Sequence, residues 1–135
     1  MWHTGSVDIG SEHFVSNIFR KRLITAIDSL SPPDNPDKKK FVLYLPENEL
    51  HEMGLLFYTY IIRKEGHSVM YLGQSTPFVG LRDLVERWHP DYLVTGALTS
   101  LPFGKPEDYL RRIGTAFRDQ VILVSGVLKI GRAHV

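Results

Sequence analysis

Residues 41 to 54 read FVLYLPENELHEMG: an apolar run closed by a proline, a polar turn, then the opening of a segment, LHEMGLLFYTYIIRKEG (50 to 66), that stops at Gly66. A short continuous apolar run between turn residues marks a strand buried on both faces, and apolar positions three and four apart over a longer stretch mark a helix. Working outward toward the C-terminus, the alternation repeats. SVMYLG (68 to 73), DYLVTGA (91 to 97) and QVILVSG (120 to 126) read as strands, and PFVGLRDLVERWH (77 to 89) and KPEDYLRRIGTAF (105 to 117) as helices. The order β-α-β-α-β-α-β calls for a parallel sheet with right-handed crossovers and helices on both faces, a Rossmann/flavodoxin-like α/β fold. Ligands of such sheets bind beyond the carboxyl ends of the strands, so the loops after Pro46, Gly73, Ala97 and Gly126 are expected to carry the chemistry.

Toward the N-terminus, SPPDNPDKKK (31 to 40) cannot continue a helix and has nothing apolar to bury, so it reads as a linker. Before it, Phe14, Val15, Ile18, Phe19, Leu23, Ile24, Ile27 and Leu30 recur at helical spacing, predicting one amphipathic helix from about Val7 to Leu30 with Ser6 as N-cap. A lone helix cannot bury its own stripe; it is expected to pack both on the α/β unit, residues 41–129, and on helices outside this sequence. Four strands are visible where a doubly wound sheet usually has five. The last six residues, IGRAHV (130 to 135), resemble a translated sequencing-adapter read-through and are expected to be foreign, with a final helix, strand and helix missing.

The 135 residues suffice for one domain with a real core, and the proportions of hydrophobic (43%) and charged (23%) residues exclude disorder and a fibrous chain. A net charge of +1 argues against a domain that grips nucleic acid by its phosphates. Absence of cysteine removes thiol chemistry, and no apolar run reaches the length of a membrane span; a cytoplasmic protein without membrane contact is expected. No G-x-G-x-x-G follows the first strand and no P-loop occurs. The exit of the second strand, Gly73-Gln74-Ser75-Thr76-Pro77, offers hydroxyls to a phosphate or another ligand group, or is a plain turn.

At the exit of the first strand stands Glu49-Leu50-His51-Glu52-Met53-Gly54. Imidazole is a good ligand for a first-row transition metal, and a carboxylate on its other ring nitrogen fixes tautomer and basicity; Glu49 suits that role, with Glu52 as rival. Gly54 leaves the backbone bare for a close approach. Taken singly, His51 reads equally as a solvent-facing residue at a helix N-terminus. The N-terminal segment adds Trp2-His3 and, with nine residues between Trp2 and Glu12, the pair Glu12-His13; alone, these read as a terminal aromatic and a solvated helix face.

The E-x-H-x-x-G stretch resembles the D-x-H-x-x-G signature of base-off, His-on cobalamin-binding domains. The W-x9-E-H spacing resembles the helical cap of light-sensing, adenosylcobalamin-dependent transcription regulators of the MerR type, the CarH-like family. The resemblance runs from Trp2 to about Lys129. It implies a cobalamin-binding domain at 41–129, with 1–30 as the C-terminal part of a helical cap. His51 is then the lower cobalt ligand, Trp2 shields the adenosyl group, Glu12 and His13 hold or sense it, and His3 ligates cobalt after photolysis. The cofactor implied is adenosylcobalamin, with methylcobalamin as the alternative. Where the family carries S-x-L and G-G motifs around the dimethylbenzimidazole tail, this sequence has Thr95-Gly96-Ala97 and Ser125-Gly126, which implies a slot of altered shape. Without the resemblance, Gly96 and Gly126 read as strand-end turns.

By the same resemblance the chain is a sensor half and not an enzyme, a homo-oligomer (tetrameric in the family) that reaches DNA only through an N-terminal domain absent here. Two other readings stay open: a corrinoid carrier protein of a methyltransferase system, and a degenerate domain that only mediates association.

Overall fold

The computed structural model of the protein describes residues 9–96 and 104–125. Eight elements follow one another: α1 (Ile9–Asp28), β1 (Lys40–Pro46), α2 (Met53–Lys64), β2 (Ser68–Thr76), α3 (Phe78–Trp88), β3 (Tyr92–Gly96), α4 (Pro106–Ala116) and β4 (Val121–Ser125). The strands form one parallel sheet in the order β2-β1-β3-β4. The chain therefore leaves β1 toward one edge and later enters β3 on its other side. The gap between the carboxyl ends of β1 and β3 is the topological switch point, where open α/β sheets bind ligands.

Side-chain alternation along β1 divides the core. Val42 and Tyr44 point to one face, where Leu81 and Val85 of α3 and Ile113 of α4, with Phe117 just beyond it, close over them. Leu43 and Leu45 point to the other, against Leu55 of α2 and Val94 of β3. Val42, Leu43 and Tyr44 have no exposed surface, which is why this strand reads as a continuous apolar run and not as alternation. On the α2 face, Val121 and Leu123 of β4 stay exposed, because no described element reaches over them.

Ends of elements differ from sequence expectation where side chains intervene. α2 begins at Met53 and not at residue 50, since Glu49 and Glu52 turn their carboxylates inward and hold the intervening residues in a loop. β2 runs to Thr76, past an irregularity in register with β1 around Gly73, whose φ of +74° suits glycine. Lys40 belongs to β1, and its Nζ donates to the Trp88 carbonyl at 2.8 Å. The linker is pinned as well: Asn35 donates from Nδ2 to the Glu65 carbonyl (3.0 Å) and from its backbone to that of Gly66 (3.2 Å). A Cβ on Gly66 would meet Asn35 at 2.8 Å, so Gly66 also serves close packing.

α1 packs on α2, though only through its C-terminal half. Arg20, Ile24 and Ile27 face Leu56, Thr59 and Arg63 across a cavity of about 510 Å³. Phe14 (67% exposed) and Phe19 (60%) of the expected buried stripe contact solvent. The α/β unit thus covers part of that stripe, and the described residues leave the rest open.

Candidate functional site

The loop between β1 and α2 is built around two buried carboxylates. Glu49 (3% exposed) and Glu52 (6%) point inward, and between them Leu50 (59%) and His51 (93% at its side chain) point out. Oε2 of Glu49 accepts from the His51 backbone N–H at 2.7 Å and lies 2.9 Å from His51 Nδ1. An ionised carboxylate only accepts, so in the neutral ring the proton sits on Nδ1 and Nε2 is the acceptor nitrogen. A ring held by one nitrogen with the other free and outward is the arrangement of a metal-ligating histidine with its outer carboxylate. Between Glu49 and Glu52 as rivals, the hydrogen bond goes to Glu49.

Glu52 has other partners. Arg20 Nε donates to its Oε2 at 2.8 Å and the Tyr71 hydroxyl to its Oε1 at 2.7 Å. Burial and this contact raise the Tyr71 phenol far above its ordinary value.

Residues at the exit of β2 hold the loop from the side. Ser75 Oγ accepts from the Asn48 backbone N–H at 2.9 Å, Gln74 Nε2 donates to the Leu50 carbonyl at 2.7 Å, and the Ser75 N–H donates to the Glu49 carbonyl at 3.0 Å. Asn48 (φ +73°) and Ser75 (φ +46°) both take left-handed backbone, at a cost on the order of 1 kcal/mol for serine. Gln74 and Ser75, read as ligand contacts or a plain turn, serve to fix the His51 loop. The only sequence signal for this was polarity where an apolar strand was ending.

Among the described residues no group of three or more His, Cys, Asp or Glu side chains gathers as a metal cage. A single outward imidazole suits a metal that arrives with its other ligands already in place. Gly54, in the first turn of α2, lies three residues beyond His51; a Cβ there would meet nothing within 4 Å. Among the described residues nothing packs against that exposed position, so no described contact requires glycine there.

Thr95 and Gly96 end β3 beside the switch point. Thr95 is fully buried on the α3/α4 side; its Oγ1 faces the Tyr44 phenol yet makes no well-formed hydrogen bond. A Cβ on Gly96 would meet Ser125 Oγ at 2.7 Å, so Gly96 has a packing reason of its own, the close approach of β4. Ser125 Oγ in turn donates weakly to the Thr95 carbonyl at 3.4 Å. Glu12 and His13 lie on α1, Glu12 in its first turn, both exposed. Trp2, His3, Ala97 and Gly126 lie outside the described residues. Among the described residues no helix is long and apolar enough to cross a membrane.

No family model matches the chain. It is 30% identical over 112 residues to the HTH-type transcriptional repressor CarA of Myxococcus xanthus, covering 83% of this chain and 37% of that protein. To the HTH-type transcriptional repressor CarH of the same organism it is 31% identical over 115 residues, 85% of this chain and 38% of that protein. The chain thus spans less than two fifths of the length of these curated relatives. Among solved structures, a novel cobalamin-binding protein from Desulfitobacterium hafniense DCB-2 superposes with a TM-score of 0.55 at 25% sequence identity, over 66% of this chain and 44% of that one.

Proposed function

We propose, for a chain homologous over 83–85% of its length to the CarA and CarH repressors, that it is the cobalamin-binding sensor domain of a transcription regulator, responding to light through adenosylcobalamin. One observation carries the reading: His51 stands at the mouth of the parallel sheet with Nδ1 held by Glu49 and the ring 93% exposed. That is the geometry a base-off, His-on lower ligand needs. The likeness to a structure described as cobalamin-binding supports the same cofactor class.

When bound, adenosylcobalamin supplies a cobalt–carbon bond that absorbs visible light and breaks on excitation. The residues of this chain bind and orient. His51 would hold the cobalt through Nε2, and Glu49 would fix its tautomer and raise its basicity. Gly54 would leave room for the displaced nucleotide tail, and Thr95, Gly96 and Ser125, with Ala97 and Gly126, would be the residues that line its slot. Glu12 and His13 of α1 would hold or sense the adenosyl group, Trp2 would shield it, and His3 would serve as a further cobalt ligand once that group is lost. The role is binding and signalling rather than turnover. DNA contact falls to a separate N-terminal region, and the ligand-biased packing of cap against α/β unit is the bistable element that light acts on.

The test mixes the purified protein with adenosylcobalamin and records absorption and oligomer size before and after green light. Uptake of the cofactor with a His51-dependent spectrum, followed by a light-driven change in size, is expected. No uptake leaves an association domain; uptake with a light-stable size points to a corrinoid carrier.

A further inference from the structure

Arg20, Glu52 and Tyr71 tie together the three elements that meet behind the His51 loop. Glu52 opens α2, and its carbonyl accepts from the Leu56 N–H at 2.9 Å, so its backbone belongs to the first helical turn. Its carboxylate is 6% exposed, and each oxygen takes one strong donor, Arg20 Nε from α1 at 2.8 Å and the Tyr71 hydroxyl from β2 at 2.7 Å. A buried carboxylate is stable only while it keeps such partners, so α1 cannot lift away without leaving an uncompensated charge next to His51.

The residue on the other side of the peptide bond is His51 itself, whose own N–H is held by Glu49. The backbone that carries the imidazole is thus anchored on its N-terminal side by Glu49 and on its C-terminal side by Glu52. The second anchor reaches α1, through Arg20. Along that helix Arg20 lies seven residues after His13, so the two share one side, about 10 Å apart along the axis. A rigid helix carries a displacement at one of these positions to the other.

We propose that Arg20–Glu52–Tyr71 is a latch through which the docking of α1 sets the orientation of the His51 ring, making Arg20 and Tyr71 positioning residues for the lower ligand. This rests on the cobalamin reading for its purpose, and on geometry alone for its existence. Movement of α1 would then reach the His51 loop through Glu52.

The test uses the full 135-residue chain. Without any ligand, the ring resonance of His51, assigned by its loss in His51→Ala, is compared in wild type, Arg20→Met, Tyr71→Phe and Arg22→Met. Arg22→Met removes an exposed charge from the same helix. With hydroxocobalamin as the probe, affinity and absorption are then compared in the same set, each also made in a His51→Ala background. Arg20→Met is expected to shift and broaden the His51 resonance and to weaken hydroxocobalamin binding about 5- to 30-fold, with Arg20→Lys recovering part of both. Tyr71→Phe should give a smaller change of the same kind, and Arg22→Met none. The binding loss should vanish once His51 is absent. An unmoved His51 resonance in both Arg20→Met and Tyr71→Phe overturns the latch, as does an equal loss of affinity with and without His51. Failure of wild type to take up hydroxocobalamin removes the cobalamin reading, and the ligand-free resonance still decides the latch.

Discussion

Glu49 and His51 are joined twice through one oxygen: Oε2 of the buried carboxylate accepts from the histidine's backbone N–H at 2.7 Å and meets Nδ1 at 2.9 Å. The first contact shapes the loop and the second orients the ring, and the two separate by mutation. Glu49→Gln keeps an oxygen for the backbone N–H and loses the carboxylate charge that makes the imidazole a better donor. Hydroxocobalamin affinity should fall about 10- to 100-fold, the range for outer partners of metal ligands, while the unfolding midpoint moves by no more than a few degrees. Titration followed by absorption, with thermal unfolding alongside, checks both. Undiminished affinity means the carboxylate serves only the loop.

Leu81 and Phe14 test how far the core extends. Leu81 on α3 has no exposed surface, so Leu81→Ala should cost about 2–5 kcal/mol by lost transfer energy and the cavity left behind. Phe14 on α1 is 67% exposed, and Phe14→Ala in this chain should change stability by less than about 0.5 kcal/mol. Urea unfolding of the two variants measures the contrast. A large loss from Phe14→Ala would place a packing partner over the N-terminal half of α1.

The same pair shows what the sequence could convey. The helix that carries Leu81 was legible from its periodicity, and the parallel sheet from the alternation of strands and helices, though not the order of strands within it. Phe14 was not: periodicity says that a face is apolar without saying what covers it. The histidine and its carboxylate were legible as i and i+2 across a strand exit. Arg20, Tyr71, Gln74 and Ser75 were not, because each reaches the loop from a distant part of the chain or through a hydrogen bond with no periodic signature.

Tyr109 and Tyr44 share a hydrogen bond between hydroxyls at 2.8 Å within the α3/α4 layer. Burial is the largest cause that pushes the Tyr109 phenol up to about 12 from 10.0, and it raises Tyr44 as well. The unfolded chain releases the Tyr109 proton first, so between pH 10 and about 12 the unfolded state binds fewer protons than the folded one. The stability contributed by this site is full below pH 10 and is lost as pH rises toward 12. Tyr109→Phe should lower stability at pH 8 by about 1–2 kcal/mol, since it strands a buried hydroxyl, and should flatten the alkaline slope. Urea midpoints at several alkaline pH values test this; an unchanged slope would mean that the pair opens before it ionises.

Gly54 separates a demand of the fold from a demand of the ligand. It lies in the first turn of α2 in ordinary helical backbone, and an added Cβ meets nothing within 4 Å. Alanine is the better helix former, so Gly54→Ala should leave the chain as stable or up to about 0.5–1 kcal/mol more stable. If the glycine exists to let the nucleotide tail of cobalamin pass close to α2, the methyl should obstruct that tail and nothing else. Hydroxocobalamin affinity should then fall several-fold, while cobinamide, which keeps the corrin ring and cobalt but lacks the nucleotide, should bind the variant as it binds wild type. Loss of both ligands alike would point to a disturbed His51 loop, and loss of neither would remove Gly54 from the site. Only a tail-dependent loss in a chain of undiminished stability fits a glycine kept for an external molecule.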